Sequence, residues 1–297
     1  MKSYFNYILT SFFSASIIAL LFDTNYQNIV AVAAILSIGL AHGANDIAII
    51  KKFKKKLSQD FNLKKSVLIY TGVILITLGL FVFLPQLALW LFILISAYHF
   101  GEQHWADQVK GINSKLNIAF YTVYGLSILF LLLFLNAEFA IEIIQQITPY
   151  AYFDQYLTEI TKISFVLLLA AFTGLALYSK KIANQIPLEL LQLLSLFLIF
   201  KWGNLIFGFA FYFVVWHSSF SIKDQLKFLY GQMSRQNLVD YFKQSAIYWL
   251  ASVIGLGILV YMLNDNDNFY SLMFAFIAAV TFPHVVVIGQ MMDKLDK

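Results

Sequence analysis

Residues 86–109 read QLALWLFILISAYHFGEQHWADQV. From Gln86 to Tyr98 there is no charged side chain, and His99 then arrives at about the fourteenth position of the run. That is roughly 20 Å along a helix rising ~1.5 Å per residue. A run this long and apolar has the pattern of a membrane span, and an ionisable side chain inside one is costly enough to signal a functional site. The same design recurs three times. Runs beginning near Asn28, Asn204 and Phe269 put His42, His217 and His284 at about their fifteenth, fourteenth and sixteenth positions. Of the five histidines, only His104 stands outside the pattern.

The whole chain fits this picture, with 60% hydrophobic residues, 12% charged residues and a mean hydropathy of +0.75. The expected fold is all-α: one integral membrane domain over 1–297, a bundle of about ten transmembrane helices. The hydropathy pattern places them at about 4–22, 28–50, 66–84, 86–109, 115–135, 160–178, 186–200, 204–222, 245–263 and 269–290. Orientation follows from KKFKKKLSQDFNLKK at 51–65, whose lysines belong on the cytoplasmic side. Alternating from that loop, every basic residue but Lys162 and Lys201 falls inside, and both termini are cytoplasmic. Asp23 and Asn25 follow residues 4–22 where a cleavage site would need small residues, so the first span is expected to remain. There is no internal repeat. Two connectors, 137–158 outside and KDQLKFLYGQMSRQNLVDYFKQ at 223–244 inside, read as amphipathic segments lying in the interface plane.

Composition also excludes classes. The formal charge of +4 and pI near 9.0 sit in loops flanking spans, so they reflect topology and not a nucleic-acid partner. Without cysteine there is no disulfide, thiolate metal site or cysteine nucleophile, and any metal must use histidine and carboxylate.

The four histidine-bearing spans all run from outside to inside, so equal counting means equal depth, within ~3 Å for a two-residue spread. Four imidazoles at one level of the inner half predict one shared metal held by His42, His99, His217 and His284. His104, five residues after His99, is turned ~140° around the helix and is expected outside the cluster, near the inner surface beside Trp105 and Asp107. Asp46, four residues after His42, and Glu102, three after His99, share their histidines' helical faces and are expected to hydrogen-bond the imidazoles. Ser221, one turn after His217, is expected to hold a water or a supporting bond. Glu189 follows Pro187 at a helix start, where a carboxylate suits the terminus, and is assigned no chemistry. Gly39 and Gly43 bracket His42 at a spacing that lets another helix approach, as Gly101 does after His99, while Pro283 is expected to kink the last span. Tyr98, Phe100, Phe213 and Trp216 are expected to wall a tunnel for a long, flat, apolar substrate.

The motifs AHGANDIAII around His42, AYHFGEQHW around His99, WHSSFSI around His217 and FPHVVVI around His284 resemble the Brp/Blh family of bacterial β-carotene 15,15'-dioxygenases. The likeness extends over the order and spacing of all four motifs. It implies a multi-pass protein of the bacterial inner membrane that cleaves the central double bond of β-carotene with dioxygen, using Fe(2+), to give two retinal molecules that a rhodopsin could receive. It implies His42, His99 and His217 as iron ligands. Some members carry a further histidine one turn after the third, where this chain has Ser221, so the fourth ligand falls to His284, which depth selects. The partners implied are membrane lipid, β-carotene, dioxygen and retinal.

Other classes fit the residues less well. A desaturase or carotenoid hydroxylase needs HxxxH and HxxHH clusters that are absent. A transporter predicts paired charges at mid-membrane and repeated, broken helices. A non-catalytic opsin-associated protein would keep the fold without bound metal.

Overall fold

The computed structural model describes residues 2–109, 112–148, 153–263 and 268–295, and every element in them is helical. In chain order they are α1 (Lys2–Leu21), α2 (Thr24–Ala34), the π-helical turn π1 (Ile35–Gly39), α3 (Asp46–Lys56), α4 (Leu63–Phe83), α5 (Pro85–Trp105), α6 (Ser114–Leu135) and α7 (Ala137–Ile147). There follow α8 (Phe153–Tyr178), α9 (Lys180–Ala183), α10 (Ile186–Trp202), α11 (Leu205–Ala210), π2 (Phe211–Ser218), α12 (Ser219–Tyr230), α13 (Arg235–Leu263) and α14 (Phe269–Leu295). Side-chain caps set several starts: Asp23 accepts from the Tyr26 amide, Asn62 from Lys65 and Asn204 from Phe207.

Seven helices among the described residues are long and apolar enough to cross a membrane: α1, α4, α6, α8, the continuous α11–π2–α12, α13 and α14. The other three expected spans depart from that form for visible reasons. The run at 28–50 is broken, because the chain leaves the helix after Ala41 and turns through His42–Asn45 before α3 starts. The last turns of α5 crowd His99, Glu102, Gln103 and His104 together. With 17 residues, α10 spans only ~25 Å. The connector at 223–244 is not a separate helix. Its halves extend α12 and α13, and Gly231, with φ +83°, ends α12 in the left-handed conformation that glycine adopts at no steric cost.

The chain divides into two compact units. The first comprises 1–35, 96–142 and 151–217, in which α6 packs on α8, α1 on α10 and α2 on α11. The second half of α5 and α6 approach closely at two glycines. A Cβ added to Gly101 would lie 2.0 Å from the Tyr121 carbonyl oxygen, and one on Gly125 would lie 2.0 Å from that of Ala97. Two glycines thus let the backbones touch, the expected use of small residues between apolar helices. The second unit comprises 36–95, 143–150 and 218–297, where α14 packs on α3, α4 and α13, and α12 on α3 and α13. Pro283 lies within the unbroken α14. Gly39 and Gly43 do not form one helical face, because π1 holds the first and the turn holds the second.

Candidate functional site

Each unit brings two of the four histidines together. In the second unit His42, at the head of the turn after π1, faces His284 on α14 with ring centroids 4.7 Å apart and planes at 87°. Both are buried. His42 Nδ1 bonds the Gly39 carbonyl and lies 3.2 Å from Ser218 Oγ. His284 Nδ1 lies 2.9 and 3.0 Å from the two carboxylate oxygens of Asp46, which in turn accepts the Tyr70 hydroxyl at 2.7 Å. With Nδ1 engaged on both rings, Nε2 is the nitrogen each could offer to a metal, and the carboxylate behind His284 would raise its basicity.

Asp46 therefore supports a different histidine from the one sequence spacing assigned. A residue four after His42 shares its face only on a continuous helix, and the turn at His42–Asn45 swings Asp46 to His284. Ser221 is fully buried and accepts from Gln225 Nε2 at 3.1 Å; the same amide donates to the His42 carbonyl at 2.8 Å. The Tyr241 hydroxyl, 2.8 Å from Gln225 Oε1, completes the brace. Ser221 thus acts on the backbone that carries His42.

In the first unit His99 on α5 and His217 on π2 have ring centroids 4.8 Å apart at 74°, and both are buried. Aromatic rings enclose His217: Phe100 at 4.7 Å and Phe213 at 5.8 Å, stacked at 16°. Of the other two aromatics expected to wall a tunnel, Tyr98 donates to Glu102 Oε1 and Trp216 packs edge-on against Tyr4 and Tyr7 of α1. Glu102 thus spends one carboxylate oxygen on its own helix.

His104 packs within the first unit with its side chain 14% exposed. Its Nε2 lies 2.7 Å from Glu189 Oε2, and its ring stacks on Tyr124 with centroids 5.0 Å apart at 16°. Glu189, read from sequence as a helix-start carboxylate, is buried and also receives the Tyr4 hydroxyl at 3.4 Å. Its presence in an apolar run was the available signal, since a buried carboxylate needs a partner; the partner's identity, 85 residues away, was not readable.

Beside the second unit's pair lies a cavity of about 400 Å³, lined among others by Gly43, Asp46, Tyr70, Tyr248, Gly255 and Phe276. It is walled by residues of α3, α4, α13 and α14 and of the turn before α3, and its rim includes Leu75, Ile258 and Met262, which are exposed on the unit's apolar surface. Tyr98, Phe100, Phe213 and Trp216 all belong to the first unit.

A family model described as beta-carotene 15,15'-dioxygenase matches residues 33–293, a stretch that contains His42, His99, His217 and His284 and leaves α1 outside. Neither the curated proteins nor the solved structures include a match to the chain. On the strength of the family match over most of its length, this chain belongs to the beta-carotene 15,15'-dioxygenase family.

Proposed function

We propose that this chain cleaves the central 15,15' double bond of β-carotene with dioxygen, giving two molecules of retinal, at one ferrous ion held by His42, His99, His217 and His284. Family membership supports a β-carotene dioxygenase-type enzyme. The observation that carries the rest is the pairing of buried imidazoles, 4.7 Å apart in one unit and 4.8 Å in the other. His42, His217 and His284 each offer a ring nitrogen to a metal, and the Asp46 carboxylate beside them is taken up by His284 and Tyr70, which favours a donor set of imidazole nitrogens. Imidazole suits iron, and neutral ligands leave the ion's charge uncompensated. When bound, the iron supplies the redox-active Lewis-acidic centre that activates dioxygen.

The protein's own contribution is orientation and exclusion. Asp46 holds the Nδ1 proton of His284, and Tyr70 holds Asp46. Phe100 and Phe213 keep water from His217. The cavity beside His284 receives an apolar arm of the polyene, entering laterally from lipid past Leu75, Ile258 and Met262. One carbon–carbon double bond breaks, two carbonyl bonds form and both oxygen atoms end in the aldehydes, so no proton donor or external reductant is required.

In the same reading the chain makes ten crossings of a bacterial inner membrane with both termini cytoplasmic, and the retinal passes to a rhodopsin. The lysines at 51–65 support that orientation. Because the chain has no cysteine, single cysteines at Gln59 and Glu138 report sidedness cleanly. Gln59→Cys is expected to label only from inside and Glu138→Cys only from outside. For the reaction, a host making β-carotene should bleach when it expresses the chain, with about two equivalents of retinal formed per carotene lost. Persistence of carotene under air in iron-replete cells would remove the proposed substrate.

A further inference from the structure

Both π-helical turns hold a backbone carbonyl that reaches a side chain elsewhere in the same unit. In the second unit Trp249 Nε1 donates to the Leu36 carbonyl, within π1, at 2.7 Å. In the first unit the Tyr7 hydroxyl donates to the Val215 carbonyl, within π2, at 2.6 Å. The Tyr7 ring also meets the Trp216 ring edge-on, with centroids 5.1 Å apart at 87°. These two turns carry the chain into His42 and through His217.

The physical reason for such donors is specific to this setting. A π-helical turn is a rare, locally widened stretch that recurs at functional sites. Carbonyls displaced from the regular ladder need another donor when water is absent, because an unsatisfied polar group in hydrocarbon costs several kcal/mol. Each donor is thus a fastening that favours the widened turn over an ordinary helix. A regular helix over the same residues would present the following histidine at a different angle, since one extra residue per turn rotates everything beyond it by ~100°.

We infer that Tyr7 and Trp249 are positioning residues: they fasten the two π-helical turns and so set where His217 and His42 present their rings. Tyr7 is the more informative of the two, because α1 lies outside the 33–293 stretch that matches the family. The first helix, on this inference, is a working part of the metal-binding scaffold and not only a membrane anchor. The inference rests on the proposed function for the statement that those rings bind iron; the fastening of the turns does not depend on it.

The test uses the purified full chain with Tyr7→Phe, Trp249→Phe and, as a control, Thr173→Ala, whose hydroxyl bonds only the Leu169 carbonyl of its own helix on an exposed face. Two readouts are taken: amide hydrogen exchange across 35–42 and 211–220, and the rate of iron loss to a chelator with the spectrum of the ferrous nitrosyl adduct. Tyr7→Phe should speed exchange about ten-fold in 211–220 alone, and Trp249→Phe should do the same in 35–42 alone, the size expected for one lost hydrogen bond. Iron should leave about ten-fold faster in both, with an altered nitrosyl spectrum, while Thr173→Ala changes neither. Unchanged exchange, or exchange raised equally throughout the chain, overturns the inference. Local loosening with unaltered iron release and spectrum also overturns it, because the turns would then be fastened without positioning the ligands. If the wild-type chain binds no iron, the proposed function falls, and the exchange rates alone decide whether the fastening exists.

Discussion

The two histidine pairs have nearly the same spacing and sit among different neighbours. In the second unit, orientation comes through hydrogen bonds: His284 to Asp46 to Tyr70, and His42 to Gly39 and Ser218, with Ser221, Gln225 and Tyr241 bracing the backbone. In the first unit, Phe100 and Phe213 pack against His217. Hydrogen bonds fix a ring's tautomer and angle, while packing fixes its position by shape and keeps the surroundings dry.

The comparison can be broken by substitution, and the largest effect should come from the ligands themselves. Alanine at His42, His99, His217 or His284 is expected to lower retinal formation in a carotene-producing host by more than ~100-fold, with the protein still inserted in the membrane. A variant retaining near-wild-type retinal yield would remove that histidine from the site. Next should come the carboxylate behind His284. Asp46→Asn is expected to cost ~10- to 100-fold in iron affinity, measured by chelator competition, and Tyr70→Phe less. Equal iron affinity in Asp46→Asn and wild type would erase the distinction between the two pairs.

Smaller effects sharpen it. Phe213→Ala should act through packing, lowering stability in detergent by about 3 kcal/mol while the folded fraction keeps its iron. Ala251→Trp, placed on the cavity wall, should raise the KM for β-carotene several-fold at unchanged iron content. An unaltered KM would exclude the cavity as the substrate's entry. Least affected should be iron in His104→Gln, since His104 is paired with Glu189; its melting temperature should fall, because removing one partner leaves a buried carboxylate poorly compensated. Loss of iron in that variant would place His104 in the centre.

Much of this architecture is legible from residue order. Long uncharged runs require helices in hydrocarbon, and an imidazole deep within four of them stands out against residues that have no chemistry. The interruption at His42–Asn45 is harder to read, because the apolar run continues to Ile50 and masks it, although Gly43, Asn45 and Asp46 in succession are turn and helix-start residues. That single break accounts for the partner change at Asp46. Gly231 similarly marks the joint that divides 223–244 between two helices. The π-helical turns left no local signature, and of the His104–Glu189 pair only the carboxylate in its apolar run was readable. The first depends on donors from Tyr7 and Trp249, and the second on a contact across 85 residues. Neither is a property of the segment in which it appears.

The central claim is that the two pairs serve one ferrous ion, and metal stoichiometry across the units tests it most directly. The purified chain, reconstituted anaerobically with ferrous iron and freed of loosely bound metal, is compared with His99→Ala, which alters only the first unit's pair, and His284→Ala, which alters only the second's. The account predicts one iron per wild-type chain and almost none in either variant. Two irons per chain, or full retention in His99→Ala with loss confined to His284→Ala, would contradict it.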